Sequence, residues 1–286
     1  MLLEKLLNII EENFPAASAV NDDKIGLQVQ SGRTEIKKIL VALELNDEVL
    51  KEARKMKCDC IITFHPLIYN PLERINNDNR IGRLCTNLIK NSISLITIHT
   101  NFDSFPKGTS YILAEKLNLE IIEFLLPDTY LENRGIGVIA KPKIKIYTDE
   151  LIKRVYKICN SPIRYSHFNP KKQINKIAIV GGSGFSFLQY AINKKVDAFI
   201  TADITYHKFH EIDKKMLLID PGHYEMEQFV PEAIAKFLKM SLTKNDNLKI
   251  SISNILTNPV KYYPETEKYL TLQKNNLLHN NSMVKN

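Results

Sequence analysis

The sequence predicts an α/β protein built of two halves with mixed sheets. Short runs rich in Ile, Val and Leu alternate with amphipathic helical stretches, the β-α-β order of a parallel or mixed sheet covered by helices. Several of these runs end in His or Asp, at the strand C-termini where such sheets gather their functional loops. The rhythm resumes after residue 174 without a detectable repeat, so one half is expected over 1–125 and a second over 174–240. Residues 126–173 read as a linking segment too short for a full inserted domain, and 241–286 as a C-terminal strand and flexible tail.

In chain order, Met1 to Phe14 sets Leu3, Leu6, Leu7, Ile10 and Phe14 on one helical stripe, and a loop holding Asp22 and Asp23 follows. Lys38 to Leu45 reads as a buried strand, after which Asn46 caps a helix bearing Val49, Leu50, Ala53 and Met56. Cys58 to Thr63 forms the next strand, cut off at Pro66 because proline cannot donate to a central ladder. Ile81, Leu84, Leu88 and Ile89 mark a helix, Ile93 to Ile98 a strand, Gly108 to Leu117 a helix and Arg134 to Lys141 a strand. Thr148 is the expected cap of a helix running through Ile158. Strands are then read at Ile177 to Val180, Val196 to Thr201 and Met216 to Asp220. Pro231 interrupts the helix before Ile234, Phe237 and Leu238 resume it. Leu248 to Ile255 suits an edge strand, and Gln273 to Asn286 a frayed tail.

Composition narrows the function classes. The chain has 286 residues, 44% of them apolar, enough for a large core. No apolar run approaches the ~20 residues of a bilayer span, and the N-terminal amphipathic stripe does not read as a signal peptide, so a cytoplasmic, soluble protein is expected. Cys58, Cys60, Cys85 and Cys159 lack C-x-x-C spacing and read as reduced structural residues. The net charge of +7 is concentrated between Lys141 and Lys176, where ten Lys or Arg face two acids. That segment could touch phosphates or an anionic partner. It equally reads as a solvated lysine-rich surface, and with no aromatic platform or nucleic-acid motif beside it, nucleic acid is not the expected partner.

Four apolar runs end in residues able to ligate a metal. Leu217 to Glu227 stops at Pro221-Gly222 and then presents His223 and Glu227, four apart on one helical face. His65 follows the run at 61–64, His99 and Asp103 the run at 95–98, and Asp203 and His207 the run at 199–202. Each has a plainer reading. His65 alone fits a hydrogen-bonded core histidine, and Asp103 fits a helix cap or turn residue. His99 and His207 could bind metal, orient a ligand or hold substrate. Gly181 to Gly184, between a strand and a helix, could cradle an anion with its amides or simply form a tight turn; it matches neither nucleotide-binding glycine fingerprint.

Taken together, IGLQV at 25–29, FHPLIY at 64–69, HTNFD at 99–103, GGSG at 181–184, DITYH at 203–207 and GHYEME at 222–227 resemble the ordered motif set of the NIF-three-like family. Its members are often labelled GTP cyclohydrolase 1 type 2 homologues, and the match runs from about residue 1 to residue 240. The resemblance implies a NIF-three-like α/β fold with a dinuclear metal centre in the cleft between its halves, and a homohexameric ring of dimers. It implies His65, Asp103, His223 and Glu227 as metal ligands, holding one or two divalent ions per chain. Zinc, manganese, iron and nickel all suit such a donor set. The family's usual His-His-Pro reads Phe64-His65-Pro66 here, which removes a ligand from one ion, and Glu44 stands where relatives often carry aspartate. The chemistry implied is metal-dependent hydrolysis of a nucleotide or related heterocycle, with Glu227, His99 and His207 in catalytic roles. The alternative is a non-catalytic metal-binding ring or scaffold.

Overall fold

The structure, a computed structural model, describes residues 1–213, 215–243 and 246–263. The elements run α1 (Leu3–Asn13), β1 (Gly26–Val29), β2 (Lys38–Ala42), α2 (Asp47–Lys55), β3 (Cys60–Thr63), α3 (Arg80–Lys90), β4 (Ser94–Thr97) and the one-turn α4 (Thr100–Asp103). They continue with α5 (Thr109–Lys116), β5 (Leu119–Pro127), β6 (Gly135–Pro142), β7 (Ile146–Tyr147), α6 (Thr148–Cys159), β8 (Arg164–Tyr165), β9 (Gln173–Ile174) and β10 (Ile177–Ile179). Then come α7 (Leu188–Asn193), β11 (Ala198–Ile200), α8 (Lys208–Glu211), β12 (Leu217–Asp220), α9 (His223–Glu227), α10 (Val230–Ser241) and β13 (Lys249–Ile252).

The chain divides into two compact units, one made of Met1–Phe105 with Phe229–Thr257, the other of Pro106–Gln228 with the described residues from Asn258. The stretch 126–173 is therefore more than a link. It supplies β6, an interior strand of the second unit's sheet, as well as α6. Conversely α10, which the sequence rhythm assigns to the second half, belongs to the first unit. The expected tail at 273–286 lies outside the described residues.

The first unit's sheet has the order β1-β4-β3-β2-β13, with β1 antiparallel and the other strands parallel. Leu40, Ala42, Ile61 and Leu95 alternate onto one face and pack with Val49, Leu50 and Ala53 of α2 and with Leu84 and Leu88 of α3. As expected, Asn46 caps α2 by accepting from Val49 N at 2.8 Å, and β13 takes an edge. Beneath α1, Phe14 meets Phe102, Phe105 and Phe237 at ring separations of 5.4, 5.1 and 4.8 Å.

The second unit's sheet has the order β5-β6-β10-β11-β12-β8. Ile177, Ile179, Ala198, Ile200, Leu217 and Ile219 face one core with Leu113, Leu151 and Val155 of α5 and α6. Ala178, Phe199 and Leu218 face another with Leu188 and Ile212. Burial on both faces explains why these strands are unbroken apolar runs. Thr148 does not cap α6: the capping position falls on Tyr147, and the Thr148 hydroxyl donates to Lys172 O at 3.2 Å. Pro231 sits at the start of α10, where its missing N–H costs no helical bond, so it begins a helix separate from α9. All four cysteines are free and buried, and burial raises the Cys58 thiol to about 11 and that of Cys159 to about 12. Among the described residues no helix is long and apolar enough to cross a membrane.

Candidate metal centre

The candidate residues fall at strand ends, two ligand candidates in each unit. In the first unit the chain leaving β3 stays tied to the segment after β2, with Phe64 N donating to Ala42 O at 3.2 Å and His65 N to Leu43 O at 2.8 Å. This fixes the backbone beneath the half-buried His65. At the end of β4, His99 N donates to Asn101 Oδ1 at 2.9 Å, and α4 winds from Thr100 to end on Asp103.

His99 Nδ1 lies 2.9 and 3.0 Å from the two carboxylate oxygens of Asp23, which also accepts from Thr100 N at 3.1 Å and from the Thr100 hydroxyl. Burial opposes the Asp23 charge, but the bonds from His99 and Thr100 outweigh it and hold the carboxyl well below its ordinary range. The rings of His65 and His99 are 5.7 Å apart. Phe64 is fully buried, with its ring centre 5.1 Å from His65, 5.2 Å from His99 and 6.3 Å from Phe102. An aromatic ring with no lone pair thus stands beside both imidazoles. Glu44 lies half-buried past β2 and accepts from the Thr257 hydroxyl at 3.3 Å.

In the second unit, Pro221 and Gly222 turn the chain out of β12 into α9, with Gly222 at φ +93°. One helical turn brings His223 Nε2 to 3.0 Å from Glu227 Oε2, while His223 Nδ1 sits 2.6 Å from Asp203 Oδ2. Glu227 is 2% exposed. Burial works against an imidazolium, but the bonds to Asp203 and Glu227 outweigh it and push His223 up to about 11. Gly182, in the loop after β10, has φ +59°, and a Cβ there would stand 2.3 Å from Glu227 Oε1 and 3.2 Å from His223 Nε2. Absence of a side chain at 182 is thus a condition for this pose. The loop Gly181 to Gly184 serves as a close-fitting wall for the pair and is tied down by Gly184 N donating to Thr201 Oγ1 at 2.8 Å.

Asp220 holds the arrangement from below. It is 2% exposed and accepts from Gly222 N at 3.0 Å and Ile204 N at 3.1 Å, and it pairs with Arg164 of β8. One carboxylate therefore fixes both the turn before His223 and the residue after Asp203. Between the two ligand candidates of α9, Glu225 points to a different environment: it accepts from Asn258 Nδ2 at 2.8 Å, and burial lifts it above the ordinary carboxyl range. His207 is exposed, and its ring lies 5.3 Å from that of Tyr206.

Mixed sheets whose strand ends carry imidazoles and carboxylates define an α/β protein with donor sets suited to a divalent metal. The chain belongs to the Duf34/NIF3 (NGG1p interacting factor 3) family, whose profile matches residues 1–259. It is 33% identical over 251 residues to a GTP cyclohydrolase 1 type 2 homolog of Lactococcus lactis, covering 87% of this chain and 95% of that one. A GTP cyclohydrolase 1 type 2 homolog of Clostridium perfringens is 32% identical, with coverage of 88% and 96%. Among solved structures, a hypothetical protein of Staphylococcus aureus superposes with a TM-score of 0.84 at 25% identity, covering 92% of this chain and 99% of that chain. Reduced HcgD from Methanocaldococcus jannaschii gives 0.72 at 28% identity, with coverage of 88% and 97%.

Two residues that shape these surroundings, Asp23 and Asp220, carry no assigned role in the motif reading, and Gly182 enters it only within the loop read as an anion cradle or a tight turn. Asp203 is flagged there only as a strand-end acid, whereas here it orients His223. Asp220 and Asp203 share the signal that picks out Asp103, an acid closing an apolar run. Asp23 has no such signal, because its partner is 76 residues away.

Proposed function

We propose that this chain is a metal-dependent hydrolase acting on a nucleotide or related heterocycle, with His65, Asp103, His223 and Glu227 as ligands to a divalent ion. The observation that carries the reading is the His223–Glu227 pair: imidazole and carboxylate 3.0 Å apart, the imidazole aligned from behind by Asp203. A carboxylate on the far nitrogen of a ligating histidine fixes its tautomer and orientation. The donor set fits zinc, manganese, iron or nickel equally well. A divalent ion supplies Lewis acidity and activates water for attack on an amide, formyl, ring C=N or phosphate ester.

The chain's own residues then divide the work. Glu227 and Asp103 would offer carboxylate oxygen to a bound ion, and His65 and His223 would offer imidazole nitrogen. With the His99 proton on Nδ1 toward Asp23, Nε2 is the ring nitrogen that takes up or returns a proton. Phe64 offers no donor, so one ion would be held tightly and a second weakly. The working form is a cytoplasmic homohexamer built as a ring of dimers. The names of the Lactococcus and Clostridium relatives support the nucleotide class.

The replacement of a ligand by Phe64 also favours a second reading, a metal-binding ring without turnover. Metal analysis of the purified protein separates neither reading, since both give at least one ion per chain. Incubating GTP with manganese- or zinc-loaded protein does: a formylated or ring-opened product appears under the first alone. Glu227→Gln abolishes that product; unchanged activity in this variant would overturn the assigned centre.

A further inference from the structure

The second unit carries a cleft of about 640 Å³ between β8 and α8, lined by Arg164, Tyr165, His167, Tyr206, Phe209 and His210. This lies inside the range of roughly 300–1,000 Å³ typical of small-molecule sites. One wall is rigid. Strand β8 pairs with β12 through Tyr165–Ile219 and Arg164–Asp220, and Ser166 locks the next step by exchanging 3.0 Å bonds with Leu218 in both directions.

The lining joins two chemistries. Tyr206 is 72% exposed and Tyr165 54%, so two large rings stand in water on the wall of a concavity. The Tyr206 ring is braced edge-on by those of His207 and His210 at 5.3 and 5.2 Å. Beside them Arg164 stacks 5.9 Å from the centre of the Phe209 ring, with Nη2 anchored on Asp220 and 60% of the side chain exposed. A guanidinium pinned at one corner and backed by a ring is a pre-aimed fork for a phosphate. Arg164 also belongs to the Lys141 to Lys176 segment, in which basic residues exceed acids by eight. Asp213 lines the cleft as well, opposite in charge to Arg164. Aromatic faces recognise a planar heterocycle whatever its substituents, because every base has a π-face to stack.

We propose that this cleft binds a mononucleotide, its phosphate on Arg164 and its base against the Tyr206 and Tyr165 rings. None of the four proposed metal ligands lines the cleft, although Arg164 shares Asp220 with the turn before His223; the test is therefore run on metal-free protein.

Isothermal titration of the full chain, dialysed against EDTA, uses guanosine monophosphate, guanosine and inorganic phosphate as probes. The monophosphate binds saturably with one site per chain, and guanosine binds about tenfold more weakly or less, having lost the charge-assisted fork. Arg164→Gln weakens the monophosphate by about tenfold or more. Tyr206→Ala, at a position too exposed to endanger folding, weakens both monophosphate and guanosine by about fivefold or more. His223→Ala binds as the parent does. Absence of saturable binding, or equal affinity in the parent, Arg164→Gln and Tyr206→Ala, would overturn the proposal. Loss of binding in His223→Ala with retention in Arg164→Gln would move the nucleotide to the metal half-site and overturn it equally.

Discussion

His223 Nδ1 stands 2.6 Å from Asp203 Oδ2, so the imidazole that faces Glu227 on one side is gripped by a second carboxylate on the other. Asp203 sits in the left-handed region at φ +57° and is half exposed, which makes it a positioning group and not a core residue.

Asp203→Asn is therefore expected to leave folding intact while lowering affinity for zinc or manganese by about 10–100-fold. Competition with a chromogenic chelator measures this directly. Parent-like affinity would mean that Asp203 does not orient a metal ligand.

Gly182→Ala tests the wall behind the pair. The new Cβ would press on Glu227 Oε1 at 2.3 Å, and the positive φ adds a backbone cost of about 1–2 kcal/mol. Both a lower melting temperature and weaker metal binding are expected. A variant that melts and binds like the parent would show that the loop yields freely.

Phe64→His adds an imidazole beside His65 and His99. Bound metal should rise toward two ions per chain by elemental analysis. Stability should fall by about 1–3 kcal/mol, because a polar ring replaces a fully buried phenyl among Phe102, His65 and His99. Unchanged stoichiometry and affinity would refute the account of position 64.

Acid stability is expected to depend on Asp246, which accepts from Lys5 Nζ at 2.5 Å, Thr243 N at 2.7 Å and Thr243 Oγ1 at 2.8 Å. The Lys5 ammonium above all, with Thr243, holds its carboxyl down at about 2. A folded value below the unfolded one, about 3.9, gives stability that is complete above that pH and lost as pH falls through the folded value. Asp246→Asn should therefore melt below the parent at pH 7, the gap closing between about pH 4 and pH 2. A gap of constant size across that range would contradict the assignment.

How much was legible in the sequence depended on periodicity and on contact distance. The unbroken apolar runs of β2, β3, β4, β10, β11 and β12 stood out because both faces of these strands are covered. Strand β5 did not: its register shifts between Ile121 and Glu123, and that bulge breaks the alternation by which an edge strand is recognised. β8 has two residues, too few for any pattern. The His223–Glu227 pair was legible because a helix makes neighbours of residues four apart. Asp23 was not, since its grip on His99 is a tertiary contact with no local spacing. The unit boundary was missed for a related reason: the chain passes to the second unit at Pro106 and returns at Phe229 with no marked change in composition.

The second sheet leaves its parallel strands no side for water, since alternate residues of β10, β11 and β12 enter two different hydrocarbon layers. Reactive groups are thereby exiled to the strand tips, and the interior is chemically silent. Exchanging one tip residue can re-specify reactivity while the layers beneath stay as they are, whereas a polar change at Ala178 or Ile200 would forfeit the scaffold without touching the chemistry.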